Sequence, residues 1–189
     1  MNFYKTTTIG TVLLITGCVT SFPSFGDGTD KESTPSQTLS PASTESSSEP
    51  PNKLLMAEQK ATPEGREILA TGRQMIEDGL ILPGGCWDYI NEVYNRAGYP
   101  NQRSKRQTVF KGTKNRGPYA DISQIQPGDF LYYINHSYKD IQHSAIFVDW
   151  VDYDKKQALM LSYGGENRQQ PARYRPYDLS HVYRIIRAK

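Results

Sequence analysis

A long segment without large apolar residues limits how much of this chain can fold. Between residues 21 and 52 the sequence is dominated by Ser, Thr and Pro, and large apolar side chains almost disappear after Phe25. Such a segment cannot bury enough apolar surface to offset the conformational entropy that folding removes. We therefore expect a disordered tether over residues 18–60 and one folded domain over residues 61–189.

The N-terminus has the layout of an export signal over residues 1–17. A positively charged residue precedes a mostly apolar run at residues 9–16, which is too short to span a bilayer. The sequence Leu14-Ile15-Thr16-Gly17-Cys18 resembles the lipobox of bacterial lipoproteins. The resemblance implies cleavage before Cys18, lipid on its thiol and a membrane-anchored place in the cell envelope. In that family the residue after the lipidated cysteine directs sorting, and Val19 in place of Asp favours the outer membrane if the cell has one. An ordinary signal peptide with a chance cysteine is the alternative.

The charge of the folded part favours some partners over others. Of the 22 basic and 20 acidic residues, two and five precede residue 53, which leaves 20 basic and 15 acidic residues beyond that point. This mildly basic surface suits an anionic neighbour such as cell wall or lipid head groups. It is not basic enough to argue for nucleic acid, and export makes that partner less suitable still.

The chain has two cysteines, Cys18 and Cys86. If lipid occupies the sulfur of Cys18, Cys86 cannot form an internal disulfide. An unpaired cysteine in an exported protein is a candidate reactive thiol, because disulfides are the usual role of cysteine in that compartment. A buried, inert cysteine is the alternative, and the cysteine count alone does not decide between them.

Local patterns predict helices first and strands later. Thr62-Pro63-Glu64 is typical of a helix start, and Asp78-Gly79 ends that helix. A second helix is expected from about Cys86 to Gly98. A basic, loop-like stretch follows over residues 99–119. Strands are predicted at residues 130–134, 144–151, 158–163 and 182–186. This order predicts an α+β domain whose N-terminal helices pack on an antiparallel sheet.

Cys86 is placed where a nucleophile is expected. It follows Gly84-Gly85 at the start of an amphipathic helix, where unpaired backbone N–H groups favour a thiolate. A thiol nucleophile also needs a base. Of the three histidines, His143 opens the most apolar strand, whereas His136 and His181 lie in loop-like surroundings. His143 is therefore the candidate base, with a purely structural histidine as the alternative.

Three segments together resemble the NlpC-type cell-wall peptidases, which are bacterial papain-like cysteine hydrolases. They are the stretch from Gly85 to Ile90, the turn Gln126-Pro127-Gly128-Asp129-Phe130, and the strand that begins His143-Ser144-Ala145. The resemblance implies a papain-like fold and hydrolysis of amide bonds in peptidoglycan peptides. It further implies that Cys86 is the nucleophile and that His143 acts first as base and then as acid.

The match departs from the family at the nucleophile. The family usually has Asp-Cys-Ser-Gly, whereas this chain has Gly85-Cys86-Trp87-Asp88. A third catalytic residue, which would orient the imidazole, is not marked by a motif. A hairpin turn centred near residues 154–155 would place Glu166 opposite His143, with Asn167 beside it. A shorter pairing would bring Ser162 or Tyr163 there instead.

Two other classes of function stay open at this point. One is a non-catalytic wall-binding or envelope lipoprotein on the same fold. The other is an amidase or acyltransferase that acts on lipids or proteins outside the wall. No metal and no cofactor are predicted, because the sequence has neither zinc-type ligand spacing nor a phosphate or dinucleotide motif.

Overall fold

The computed structural model describes residues 50–189; the predicted signal peptide, Cys18 and the tether up to residue 49 lie outside the described residues. The three helices are α1 (Pro50–Lys60), α2 (Pro63–Glu77) and α3 (Cys86–Arg96). The six strands are β1 (Arg106–Lys111), β2 (Phe130–Asn135), β3 (Ile141–Asp152), β4 (Gln157–Ser162), β5 (Arg173–Asp178) and β6 (Val182–Ala188). No helix in this part of the chain is long and apolar enough to cross a membrane.

The six strands form one antiparallel sheet in the order β1-β6-β2-β3-β4-β5. Along β3, successive side chains point to opposite faces. Ile146 and Val148 pack with helix residues such as Ile90 and Val93 in one apolar cluster. The alternate residues of β3 pack in a second cluster that holds no residue of α1, α2 or α3. The predicted α+β class with helices packed on an antiparallel sheet is confirmed.

Helix α1 lies inside the segment for which a disordered tether was predicted. Its side chains at Leu54 and Ala57 are buried against the core, which the polar composition of the preceding segment did not suggest. The prediction of disorder is therefore wrong for residues 50–60. The basic stretch at residues 99–119 also differs from expectation, because β1 forms there and its first residue, Arg106, is buried.

The Pro-Gly-Asp turn before β2 is shaped by close contact with α2. Gly128 has φ +93°, and a Cβ at this position would lie 2.5 Å from the Cα of Gly65. A side chain on Gly65 would in turn collide with the carbonyl oxygen of Pro127. Two glycines thus allow backbone to pack directly on backbone here. The hydroxyl of Tyr94 on α3 donates to the carbonyl of Gly128 at 2.6 Å, which also fixes α3 over the sheet.

Candidate active site

Cys86 is the first residue of α3, as predicted. Gly85 is the N-cap, and its N–H donates to the Asp88 carboxylate at 2.7 Å. Gly84 has φ +96°, and a Cβ there would collide with the same carboxylate. Asp88, which departs from the family pattern, therefore caps the helix that carries Cys86. The two glycines leave room for this cap.

The loop before α3 is tied to the end of β4. The hydroxyl of Tyr163 donates to the carbonyl of Leu82 at 2.7 Å and accepts from the Leu82 N–H at 3.2 Å. The N–H of Glu166 donates to the carbonyl of Gly84 at 3.0 Å. Because these bonds hold the loop on both sides of its turn, they fix the position of Cys86 against the sheet.

The start of α3 offers backbone donors beside the thiol. The first intrahelical bond runs from the N–H of Tyr89 to the carbonyl of Gly85, so the N–H groups of Cys86 and Trp87 precede it. Such groups, together with the positive helix end, stabilise negative charge. Trp87 is 40% exposed, and its indole N–H donates to the Tyr132 hydroxyl at 2.7 Å. This hydrogen bond ties the Trp87 side chain to β2.

His143 is held by a chain of hydroxyl groups. Its Nε2 lies 2.8 Å from Ser162 Oγ, and Ser162 Oγ lies 3.0 Å from the Tyr177 hydroxyl. Glu166 and Asn167, which were preferred as the orienting residue, are exposed in a short 3₁₀ turn (Glu166–Arg168). Neither side chain hydrogen-bonds His143 in the described part of the chain. The hydrogen-bond partner of His143 is instead Ser162, the alternative that a shorter pairing offered.

Two irregularities in the β3–β4 hairpin explain this correction. The pairing next to the turn, Asp152 with Gln157, agrees with the predicted turn position. Register shifts at residues 147–149 and 150–152 then each use one extra residue of β3. Ile146 consequently pairs with Leu161. Continuing this register places Ser162 diagonally across from His143 on the same face of the sheet.

Cys86 and His143 line one cavity, but no hydrogen bond joins them in the described part of the chain. The sulfur of Cys86 accepts a hydrogen bond from Ser144 Oγ at 3.4 Å. Within residues 50–189 no hydrogen bond joins the sulfur to His143. His143 and Ser144 are consecutive, so their side chains leave β3 on opposite faces, and Ser144 is on the helix side. Both Cys86 and His143 nevertheless line a cavity of about 700 Å³ at the end of the sheet.

Burial keeps the imidazole of His143 neutral. Desolvation, followed by the positive charge of Arg168, lowers the pKa of His143 to about 4. Its ring lies between Tyr133 and Tyr177, at centroid distances of 5.6 and 5.5 Å. A neutral imidazole is the form that can accept a proton, but a pKa this far below neutral makes it a weaker base than an ordinary histidine. Only Nε2 has a hydrogen-bond partner in the described residues, so Nδ1 is the nitrogen available to the cavity.

This shift predicts a pH dependence of stability. Because the folded-state pKa lies below the unfolded value of about 6.5, protons bind the unfolded chain more readily between pH 6.5 and 4. The free energy of unfolding should therefore fall across that window, by about 3 kcal/mol if the shift is fully expressed. Urea denaturation at several pH values measures it.

The variant His143→Gln should lose this part of the pH dependence, since its side chain does not titrate. His136→Gln is the matched control, because His136 is exposed and lies outside the cavity. Equal pH profiles for wild type and His143→Gln would contradict the assignment of the shift to His143.

The other two histidines form a separate cluster. His136 Nε2 lies 2.8 Å from His181 Nδ1, and His136 Nδ1 lies 2.7 Å from Asp140 Oδ1. Neither histidine lines the cavity that holds Cys86. Among residues 50–189, no group of three or more His, Cys, Asp or Glu side chains is arranged to hold a metal ion.

Comparisons of the chain with family models, with curated proteins and with solved structures find no match. The class of the fold, three helices on a six-stranded antiparallel sheet, follows from the geometry alone. Family membership and activity have to be argued from the site, because many unrelated functions share one fold class.

Proposed function

We propose that this chain is a lipid-anchored cysteine hydrolase of the papain-like, NlpC type, which cleaves amide bonds in peptidoglycan peptides. One observation carries the proposal: the only cysteine of residues 50–189 begins a helix and shares a 700 Å³ cavity with a half-buried, neutral histidine. A nucleophile, a base and backbone donors around one cavity are the components that acyl transfer requires.

The first step would form a thioester. With the His143 proton on Nε2, that N–H donates to Ser162 Oγ, and the hydroxyl of Ser162 donates to Tyr177. Nδ1 then carries a lone pair and takes the proton of the Cys86 thiol. The sulfur attacks the amide carbonyl carbon, and the negative oxygen is stabilised by N–H groups at the start of α3. The resulting imidazolium gives its proton to the departing amine.

The second step would restore the thiol. Water loses a proton to His143 Nδ1 and attacks the thioester carbonyl; the acid product leaves, and the sulfur regains the proton. For either step the imidazole and the sulfur have to approach each other, since no hydrogen bond joins them here. Catalytic hydrogen bonds are often formed only when substrate is bound. The contact of Ser144 with the sulfur is the one that would break.

The N-terminal motif supplies the location of this activity. A lipid on Cys18 would hold the domain at a membrane of the cell envelope, with the outer membrane favoured where one exists. The residues from 18 to 49 would separate the lipid from α1. Release of the Cys18→Ser variant from the membrane fraction checks the anchor, and retention of that variant would contradict it.

Thiol alkylation of the Cys18→Ser chain tests the proposed activity, because Cys86 is then the only thiol. The untreated protein is expected to release soluble peptide fragments from purified peptidoglycan. The same protein treated with iodoacetamide is expected to release none, since the thioether cannot attack a carbonyl. Chromatography of the soluble fraction measures both. Undiminished release of peptide fragments after complete alkylation, verified by mass spectrometry, would contradict the proposal.

A second candidate is a non-catalytic, peptidoglycan-binding lipoprotein. The observation that favours it is the engagement of the Cys86 sulfur by Ser144, and not by His143. This candidate predicts that the untreated protein sediments with peptidoglycan and releases no fragments.

A further inference from the structure

Three arginines line the cavity on the side of His143. Arg173 and Arg175 lie on β5, where Arg173 pairs with Ser162 and Arg175 with Met160. Residues two apart on a strand share a face, so both side chains point to the face that carries Tyr177. Arg168 comes from the 3₁₀ turn and lies over the ring of Tyr138 at 6.0 Å.

The positive charge of this wall is not balanced by acidic side chains. No aspartate or glutamate is among the residues that line the cavity. In the described part of the chain, none of the three arginines forms an ion pair or donates a side-chain hydrogen bond to another residue. Cationic side chains along one wall make the potential of the cavity positive, which attracts an anionic ligand.

The chemistry of arginine limits the classes of ligand that this cavity suits. The planar guanidinium donates two parallel hydrogen bonds to a carboxylate or a phosphate, a geometry that lysine does not offer. The cavity volume of about 700 Å³ accommodates a short peptide rather than a single ion. Arg173 is opposite Ser162, which in turn holds His143, so an anion bound there would lie close to the reacting groups.

We propose that Arg168, Arg173 and Arg175 form an anion subsite that binds a free carboxylate of a short acidic peptide beside the scissile amide. The position of the scissile amide rests on the proposed function, whereas the binding of an anion rests on the cavity alone. The expected substrates are therefore peptides with a free carboxylate near the amide bond that is cleaved. Peptides amidated at that position would bind weakly.

Calorimetric titration of the full chain carrying Cys86→Ala tests the subsite without any turnover. The probes are a γ-glutamyl-alanine peptide with free carboxylates, the same peptide with its carboxylates amidated, and inorganic phosphate. We expect the acidic peptide to bind at least about tenfold more tightly than its amide, equivalent to about 1.4 kcal/mol. Equal affinities for the two peptides, or tighter binding of phosphate, would overturn the proposal.

Substitutions locate the effect. Arg173→Gln and Arg175→Gln, each added to Cys86→Ala, are expected to weaken binding of the acidic peptide about tenfold and to leave the amidated peptide unaffected. Arg103→Gln is the matched control, because Arg103 is exposed and lies outside the cavity. Thermal unfolding verifies that each variant is folded. Unchanged affinity in both folded cavity variants would refute the subsite.

The two proposals can fail separately. Preferential binding of the acidic peptide, together with no fragment release by the protein with Cys86 intact, would retain the subsite and remove the hydrolase. Fragment release with equal rates on acidic and amidated peptides would retain the hydrolase and remove the subsite.

Discussion

Replacing Cys86 with alanine is expected to abolish fragment release from peptidoglycan. Removing a nucleophile lowers turnover by about 10⁴-fold or more, because the remaining donors stabilise an intermediate that no longer forms. The loss in stability should be about 1 kcal/mol or less, since Cys86 is only half-buried and its cap is provided by Asp88. Initial rates with equal amounts of folded protein measure the first effect, and urea denaturation measures the second.

A matched pair of variants separates chemistry from packing at this position. Cys86→Ser keeps the size of the side chain and its polar contact with Ser144, but a serine hydroxyl is a far weaker nucleophile at neutral pH. It should therefore be as inactive as Cys86→Ala. His143→Ala should be inactive as well. Residual activity above about one-tenth of wild type in either cysteine variant would contradict nucleophilic catalysis by Cys86.

Replacing Arg187 with methionine is expected to be strongly destabilising. The guanidinium donates to both oxygens of Asp129, at 2.7 and 2.8 Å, and Asp129 is 1% exposed. Burial already raises the pKa of Asp129, and the hydrogen bond from Arg187 opposes that rise. Without the arginine a buried charge loses its partner, which costs about 3–5 kcal/mol. The free energy of unfolding at pH 7 measures the loss.

The sign of its pH dependence provides a check. In Arg187→Met the pKa of Asp129 rises further, so the neutral acid is favoured in the folded state. The deficit should therefore shrink as the pH is lowered and Asp129 takes up a proton. The double variant Arg187→Met/Asp129→Asn should be more stable at pH 7 than Arg187→Met alone. An Arg187→Met deficit that is equal at pH 7 and pH 5 would argue against a buried charge as its cause.

An exposed ion pair serves as the control for this prediction. Arg96 donates to Glu92 at 2.8 Å one turn away on α3, and both side chains are substantially exposed. Such surface pairs contribute about 0.3–0.5 kcal/mol. Arg96→Met should therefore have a small effect on the free energy of unfolding. That result would show that the loss of stability in Arg187→Met comes from the buried carboxylate and not from the loss of an arginine as such.

The position of Cys86 could be predicted because the signals for a helix start are local. Gly85 and Asp88 act within one turn of the cysteine, and no distant residue is needed to see them. The partner of His143 could not be predicted in the same way. It depends on two irregularities between β3 and β4 that no glycine or proline marks in the sequence. Each one moves the facing residue by one position, so Gly164 takes the place of Glu166 opposite His143 and Ser162 lies diagonally across from it.

The face on which His143 lies was also hidden. The run from Ala145 to Val148 is apolar at every position, because both faces of β3 are covered. A strand buried on both faces shows no alternation from which the direction of a side chain can be read. The sequence therefore indicated that His143 lies near the start of this strand, but it did not show which face of the sheet carries the side chain. In the structure Ser144, and not His143, faces α3.

Two strands were missed for a related reason. β1 and β5 are the edges of the sheet, each paired on one side only. Edge strands are often polar, and β5 contains Pro176, which a central strand would exclude. Arg173 and Arg175 on β5 were consequently absent from the sequence-based site, although they line the cavity.

The strand order also has a consequence for how this protein is made. β6, the last strand in chain order, lies between β1 and β2 and is the only strand of residues 50–189 that pairs with β1. A nascent chain that has emerged only as far as residue 181 therefore has no partner for β1, and one side of β2 is open. Such long-range closure is slow. If the chain is exported as proposed, late closure of the sheet would help keep the polypeptide unfolded until it has crossed the membrane.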